Sequence, residues 1–464
     1  MSGDPIAGIP TDGEIAVLGL ARSGRAVALL LARHGHKVYA SDASSESGVG
    51  VVAAELSAEG IAAESGGHDL GRVGRAAAVV ASPGIPPSAP PLVAARERGV
   101  PVLSEIEVAL RALRALDRSR VIAVTGTNGK STTTAMIGAM LAGLGTSAAV
   151  AGNIGRALSE VALLSDVPEW ISVELSSFQL HDTPSLAPAV GVLTNLSPDH
   201  LDRYASVGEY YADKALLFRN ADAGSVWVSN ADDADSARLT AGVAGRHARF
   251  SLSTRADAWL DAGADLLRLG GEELMPRGDL PLLGKHNVAN ALAAALAVSV
   301  ADESFAGPGP RERIARALRN FQPLSHRLEL LGEFRGVQWI NDSKATNVGA
   351  ALVALQAMER PTVLLLGGRH KGEPYAPLAA EIRRTVKRVL AYGEAAPLIA
   401  GDLAGVTDVR TLGDSFEEVV AESRKSAQPG DAVLLSPACS SYDMFSSFEE
   451  RGDRFRQLAL AESG

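Results

Sequence analysis

Across 464 residues there is a single cysteine, Cys439. One thiol excludes an internal disulfide and any metal site built from several cysteines. Positive charge is in the minority: 44 Lys and Arg stand against 54 Asp and Glu, a net charge of −10. Such a chain has no basic footprint for nucleic acid or an anionic membrane, so any polyphosphate site must be local. Long hydrophobic runs are also missing. The stretch Val288–Ala301 is among the longest, yet it keeps Asn290 and falls short of the roughly 18 residues that would span a bilayer. The start, MSGDPIAGIPTDGE, has neither a basic leader nor an apolar core, so no signal peptide is expected. Together these absences predict a cytoplasmic protein, with no nucleic-acid partner and no membrane insertion. What remains is ordinary globular composition, 46% hydrophobic and 21% charged. At roughly 150 residues per domain, the length predicts about three domains.

Short apolar runs alternate with helical patterns along the whole chain. Ile15–Leu18, Lys37–Ala40, Ala77–Val80 and Val100–Leu103 read as strands, with a helix over Ala26–Arg33. A second start comes at Val121–Val124, followed by a helix over Ser131–Leu144. On it Met136, Ile137, Met140, Leu141 and Leu144 form one apolar face. A third start follows Pro308-Gly-Pro310, with strands at Gln338–Ile340, Thr362–Leu366, Arg388–Tyr392 and Ala432–Leu435. Alternating strands and helices with short glycine-rich joints predict an α/β fold of parallel-rich, doubly wound sheets. The expected domains are residues 1–104, 105–323 and 324–464, with hinges near Ser104 and Pro323.

The decisive loop is Thr125-Gly-Thr-Asn-Gly-Lys-Ser131, between a strand and a helix. Its backbone N–H groups can cradle phosphate at a helix N-terminus. Lys130 can reach the β/γ-phosphates, and the Ser131 hydroxyl can bind Mg²⁺. Val124 stands where the longer form of this motif has glycine. The N-terminal loop Gly19-Leu-Ala-Arg-Ser-Gly24 is a weaker signal. It has Ala21 where a dinucleotide fingerprint wants glycine, and Asp42 ends the next strand where a ribose-binding acid would sit. This unit could hold NAD or another nucleotide such as a UDP sugar.

Glu174 ends the strand that begins at Trp170, which suits it to hold Mg²⁺ beside a phosphate loop. Asp199, His200, Asp202 and Arg203 crowd one polar turn after Leu193, a set suited to metal or phosphate. Lys214 reads as a helix-surface lysine. In the third segment, Asp342, Lys344 and Thr346 directly follow a strand, where a ligand crevice is expected. Lys371, in Leu366-Gly-Gly-Arg-His-Lys371, and the hydroxyl-rich stretch Leu435–Phe445 lie at two further strand ends and suit an anion.

Taken in order, Gly126–Ser131, Glu174–Gln179, Asp199–Arg203, His286–Asn290, His326-Arg327, Asn341–Asn347 and Ser436–Ser441 resemble the motif set of the Mur ligases, over nearly the whole chain. The stretch Asp-Ser-Lys-Ala-Thr-Asn is similar to the branch that adds D-glutamate to UDP-N-acetylmuramoyl-L-alanine. The resemblance implies a Rossmann-like N-terminal domain for the UDP end, a central P-loop ATPase domain, and a Rossmann-like C-terminal domain that takes the amino acid and closes over ATP. It implies that Gly126, Thr127, Asn128, Gly129, Lys130, Ser131, Thr132, Asn287, Asn290, Arg327 and Asp342 meet ATP. Ser131, Glu174, His200 and a carbamylated Lys214 would hold two Mg²⁺ ions, and Lys130, Glu174, His200 and Lys214 would carry the catalysis. Lys344, Thr346, Lys371, Ser441 and Phe448 would form the D-glutamate site. For the UDP-sugar substrate the pattern points to Arg22, Ser23, Asp42, Ser82, Gly84, Asn153, Ser176 and Gln179. Ala21 and Ala43 depart from it, which leaves the individual uridine contacts open.

The implied reaction makes an acyl phosphate from the substrate carboxylate and ATP, which the amine of D-glutamate then attacks. Two anions about 4 Å apart would repel by several kcal/mol in a partly desolvated site. Lys130 and Mg²⁺ are the compensation. His200 and Asp342 are both candidates to accept the amine's proton. A monomer is expected, and alkylation of Cys439 inside the amino-acid loop would inhibit. Rival readings are an L-glutamate-adding or folyl-polyglutamate ligase, an NTP-driven switch, and an NAD-dependent dehydrogenase. The last leaves the Lys130 loop without a purpose.

Overall fold

Three sheets carry the chain in the computed structural model, which describes residues 4–86, 88–116, 120–199 and 204–461. The first comprises β1 (Glu14–Leu18), β2 (Lys37–Asp42), β3 (Ala62–Ser65), β4 (Ala78–Ala81) and β5 (Val102–Ser104). All its pairs are parallel, in the order β3-β2-β1-β4-β5. The order reverses beside β1, which opens a crevice at the strands' C-terminal ends. The following helix, Arg22–Arg33, starts earlier than its apolar pattern suggests. Gly24 explains this, because a Cβ there would lie 1.7 Å from the Gly19 carbonyl oxygen. Only glycine lets the helix close against the turn.

The second sheet holds β6 (Arg120–Thr125), β7 (Ala148–Gly152), β8 (Trp170–Glu174), β9 (Val190–Leu193), β10 (Val226–Asn230), β11 (Arg246–Ser251), β12 (Ala258–Asp261), β13 (Leu266–Leu269) and β14 (Glu272–Pro276). Its order is β14-β13-β12-β11-β10-β9-β6-β8-β7. Pairing is parallel from β7 to β12 and antiparallel for β12–β13–β14. The third comprises β15 (Glu329–Phe334), β16 (Val337–Asn341), β17 (Thr362–Gly367), β18 (Val386–Tyr392), β19 (Asp408–Thr411) and β20 (Ala432–Leu435). Its order is β15-β16-β20-β17-β18-β19, with β15 antiparallel to β16 and the rest parallel.

The central strands are apolar throughout because helices cover both faces. Val121–Val124 and Leu364–Leu366 are fully buried or nearly so. The helix Lys130–Gly143 buries Met136, Ile137, Met140 and Leu141, the face expected of it. Two compact units result: residues 1–279 with 289–320, and residues 280–288 with 321–464. Within the first, the helix Glu105–Leu116 joins both sheets into one core, where Ile106, Ala109 and Leu113 belong with Leu158 and Val161. Among the described residues no helix is long and apolar enough to cross a membrane.

Candidate active site

In the middle sheet, β6 delivers the glycine-rich loop. Gly126 has φ of +141°, and a Cβ on it would lie 2.0 Å from Thr194 Oγ1. Gly129 has φ of +79°, caps the helix, and would place a Cβ 2.2 Å from Asn290 Oδ1. Both positions therefore demand glycine. The segment after β9 fastens the loop: the Thr127 N–H donates to the Asn195 carbonyl (2.9 Å), the Asn128 N–H to Asn195 Oδ1 (2.9 Å), and Thr194 Oγ1 to the Asn128 carbonyl (2.7 Å). Lys130 Nζ donates to the carbonyls of Gly126 (3.0 Å) and Thr127 (2.8 Å). Ser131 is buried in the first turn of a 14-residue helix. A rigid loop, a helix N-terminus and an ammonium in one place form an anion cradle.

Glu174, at the end of neighbouring β8, is fully buried. One oxygen, Oε1, accepts from Asn153 Nδ2 at 2.9 Å, while Oε2 is buried without a partner among the described residues. A desolvated, unsatisfied carboxylate oxygen beside a phosphate cradle fits a hard cation. Among the described residues no three His, Cys, Asp or Glu side chains cluster as a metal set. His200, Asp202 and Arg203 lie outside the described residues.

Lys214 corrects the sequence reading. It is not on a helix surface but 1% exposed, on the helix Val207–Ala215. Its Nζ donates to the Gly126 carbonyl at 2.7 Å and sits 4.6 Å from the centre of the Tyr210 ring. Burial first, then the charge of Lys130, pushes its pKa well below the usual lysine range. Asp199 and Glu174 pull the other way without reversing this.

A cavity of about 440 Å³ opens between the first two sheets. Ser82 and Gln179 line it, together with Phe178, His181, Tyr204 and Asp213. Gln179 Oε1 accepts the Ser176 N–H (2.9 Å) and O–H (3.0 Å), and its Nε2 is buried with no partner among the described residues. Asp213 accepts from Tyr204 (2.8 Å) and pairs with His181 (2.9 Å), a bond that raises the histidine pKa. A second cavity, about 420 Å³, brings Asp42 and Gly84 together with Gly19, Ala43 and His68. Asp42 uses Oδ2 to accept the Leu20 N–H (2.7 Å) and Oδ1 the Ser44 N–H (2.8 Å). Arg22 and Ser23 line neither cavity; they occupy the first helical turn after the Gly19 loop.

In the third-sheet unit, Asp342 follows β16 and is buried. Ser436 Oγ donates to its Oδ2 (2.8 Å) and the Leu328 N–H to its Oδ1 (3.1 Å). Burial raises its pKa to about 7, opposed by those bonds and by Arg327. Lys344 Nζ lies 3.7 Å from the centre of the Phe448 ring, and Lys371 Nζ reaches Thr346 Oγ1 at 3.4 Å. Ser441 is buried nearby in the loop after β20. Asn287 donates to the Leu283 carbonyl at 2.8 Å, whereas Asn290 belongs to the other unit, against Gly129.

Arg451 organises this region and was missed in the sequence. It is fully buried, and its guanidinium donates to Ser343 Oγ (2.9 Å), the Ser343 carbonyl (2.8 Å) and the Cys439 carbonyl (3.2 Å). It thereby ties the loop that carries Lys344 to the loop that carries Ser441 and to the helix beginning at Phe448. Asn341 adds to this through His326 Nδ1 (3.0 Å) and the Gly452 carbonyl (3.2 Å). The expectation for Cys439 needs correction. Its thiol is fully buried, hydrogen-bonded with Tyr375 at 2.9 Å, and burial pushes its pKa up to about 11. A dissolved alkylating reagent meets no exposed thiolate.

Comparison with known proteins covers the same ground. Residues 13–104 match the Mur ligase MurD-like N-terminal domain, 124–298 the Mur ligase middle domain, and 326–439 the Mur ligase glutamate ligase domain. The chain is 41% identical over 456 residues to the UDP-N-acetylmuramoylalanine–D-glutamate ligase of Myxococcus xanthus, covering 97% of this chain and 98% of that one. It is 39% identical over 459 residues to the protein of that name from Pelotomaculum thermopropionicum, covering 97% of each. Among solved structures, the UDP-N-acetylmuramate–alanine ligase MurC of Thermotoga maritima shares the fold at 20% identity, with a TM-score of 0.62 over 97% of this chain and 100% of that one. A pseudomurein peptide ligase type C from Methanothermus fervidus does so at 18% identity, with a TM-score of 0.58 and the same coverage.

Proposed function

Since the chain belongs to the Mur ligase family, we propose that it adds D-glutamate to UDP-N-acetylmuramoyl-L-alanine at the expense of ATP, a step of peptidoglycan precursor synthesis. Near-full-length identity of 39–41% to relatives bearing that activity's name carries the reading. The setting is the cytoplasm and the working form a monomer.

The carboxylate of the muramoyl-alanine attacks the γ-phosphorus of ATP and ADP leaves, giving an acyl phosphate. The amine of D-glutamate then attacks the acyl carbon, and inorganic phosphate leaves. Catalysis here is mostly positioning and charge neutralisation. The loop Gly126–Thr132 would cradle the triphosphate, and Lys130 would turn from its loop carbonyls to the β/γ-phosphates. Asn287, Asn290, Arg327 and Asp342 would complete the ATP contacts. The orphaned oxygen of Glu174 supports a cation role for that side chain. Glu174, Ser131, His200 and carbamylated Lys214 would hold two Mg²⁺ ions, which when bound neutralise the meeting anions.

The buried state of Lys214 supports its modification. A depressed pKa raises the share of neutral amine, the form that adds to CO₂ and releases a proton to give a carbamate. The unpartnered Nε2 of Gln179 supports a contact to the muramoyl-alanine end, next to Asn153 and Ser176. Arg22, Ser23, Asp42, Ser82 and Gly84 would serve the UDP end. For the amino acid, Lys344 and Lys371 would meet the two carboxylates, with Thr346, Ser441 and Phe448 shaping the site.

The test is ATP-dependent phosphate release with UDP-N-acetylmuramoyl-L-alanine and a panel of amino acids. D-Glutamate should give stoichiometric amide product. Release supported equally by L-glutamate, or product without D-glutamate, would refute the reading.

A further inference from the structure

Asn153 reaches Glu174 from a turn that leads into a helix with no cap of its own. The turn follows β7 and runs into the helix Leu158–Ala162. It is tightly closed: the Gly152 N–H donates to the Arg156 carbonyl (2.9 Å), and the Asn153 N–H to the Glu174 carbonyl (3.0 Å). Gly152 has φ of +99°, and a Cβ there would lie 2.3 Å from that same Glu174 oxygen. A helix start leaves its first N–H groups without intrahelical acceptors. The capping position here is Ala157, whose methyl group cannot accept a hydrogen bond. The acceptor comes from another element. Glu105, the first residue of the helix Glu105–Leu116, takes the Ser159 N–H on its Oε1 at 2.5 Å. Ser159 is fully buried and Glu105 is 2% exposed, so bulk water does not reach the bond. Burial raises the Glu105 carboxyl to about 7, opposed by Ser159 and by the charge of Arg22.

The neighbours of Glu105 grip a second substrate-facing element. The Ser104 N–H donates to the Asp182 carbonyl (2.8 Å), and Ser104 Oγ hydrogen-bonds with Thr183 Oγ1 (2.7 Å). Glu107 Oε2 accepts the N–H and the O–H of Ser185, both at 3.0 Å. Asp182 directly follows the helix Ser177–His181, which carries Gln179. Residues 104–107 thus hold both the Asn153 turn and the segment behind Gln179. We propose that Glu105 is a positioning residue for the muramoyl-alanine end: by capping the helix Leu158–Ala162 from outside, it fixes the turn that presents Asn153 to Glu174. The proposal rests on the activity inferred above and adds a residue that acts only through Asn153. Without the carboxylate, a buried N–H is left unpaired and the start of the helix loosens.

The experiment compares wild type, Glu105→Leu, Glu105→Gln and the pair Glu105→Leu/Ala157→Ser. Leucine fills similar volume without an acceptor, glutamine keeps the oxygen, and serine at 157 supplies a local cap. Hydrogen–deuterium exchange of the full chain reads the amides of residues 152–160, and turnover reads KM. In Glu105→Leu those amides should exchange at least about tenfold faster, and KM for the UDP-sugar substrate should rise about tenfold, the scale of one buried hydrogen bond. KM for D-glutamate should stay put. Glu105→Gln and the Ala157→Ser pair should both return toward wild type. In an Asn153→Ala background, Glu105→Leu should add little to KM, because the two act along one route. Folded Glu105→Leu with wild-type exchange and KM would overturn the proposal, and so would a full extra effect in the Asn153→Ala background. If Glu105→Leu does not fold, the pair with the local cap must fold and turn over; a pair that does neither sinks the assignment. Where wild type makes the amide, these failures touch Glu105 alone. If wild type makes none, the proposed activity falls and the positioning role with it.

Discussion

Replacing Lys214 by alanine is the sharpest probe of the site. In the folded chain Lys214 is buried, donates to the Gly126 carbonyl at 2.7 Å, and feels the repulsion of Lys130. An ordinary lysine is neutral in about one molecule in a thousand at pH 7.4. Burial lowers that barrier to carbamylation. Two stability effects of Lys214→Ala oppose each other. The Gly126 carbonyl loses a partner, costing about 1 kcal/mol, while the cost of burying an amine disappears. The melting temperature should thus move by no more than about 4 °C. Activity should fall much further, at least about a hundredfold, as expected when a group that neutralises transition-state charge is lost. Formate or acetate entering the vacated space should restore part of the turnover, because either returns the carboxylate-like oxygens. Lys214→Arg keeps a cation, cannot form a carbamate, and should be inactive without rescue. Phosphate release across a carboxylate concentration series measures this, and ¹³C NMR of wild type in ¹³C-bicarbonate should show a carbamate signal. A wild type without that signal, together with a Lys214→Ala variant that no carboxylate rescues, would refute the reasoning.

Three further outcomes follow from geometry already described. Gly129→Ala puts a side chain at φ of +79° and 2.2 Å from Asn290 Oδ1; KM for ATP should rise at least tenfold with a strain cost of about 1–3 kcal/mol, and unchanged kinetics would contradict the cradle. Asp342 is raised to about 7 in the folded chain from 3.8, so the folded state holds a proton that the unfolded chain has released between those values. Its contribution is complete below about 3.8 and is lost as pH rises to about 7. Wild-type stability minus that of Asp342→Asn should therefore fall across that window by an amount on the order of a few kcal/mol, and a flat difference in thermal melts would overturn it. Arg451→Lys keeps the charge and loses the planar fork. KM for D-glutamate should rise about five- to tenfold with KM for the UDP-sugar substrate unchanged, and a parallel rise in both would argue for general misfolding.

Much of the cradle is legible because its physics is local. Gly126, Gly129, Lys130 and Ser131 fall within six consecutive residues, and the strand and helix that aim them flank them directly. The central parallel strands, such as β6 and β17, were legible for the same reason, as uninterrupted apolar runs. The strands β12 to β14 were not: they are four or five residues long, partly polar, and stable only as an extension of a sheet already formed. Lys214 was misread because its burial depends on a carbonyl 88 positions away. Arg451 gave no signal at all, since its acceptors include main-chain carbonyls, which every residue has.

The buried thiol has a practical consequence. Cys439 is the chain's only cysteine and lies behind Tyr375, so the native protein is already blind to maleimide dyes. A single cysteine introduced on the surface would be labelled alone, with no background to delete. One such position in each compact unit would give a matched dye pair, and single-molecule energy transfer could then follow the enzyme through its cycle on an unmodified core.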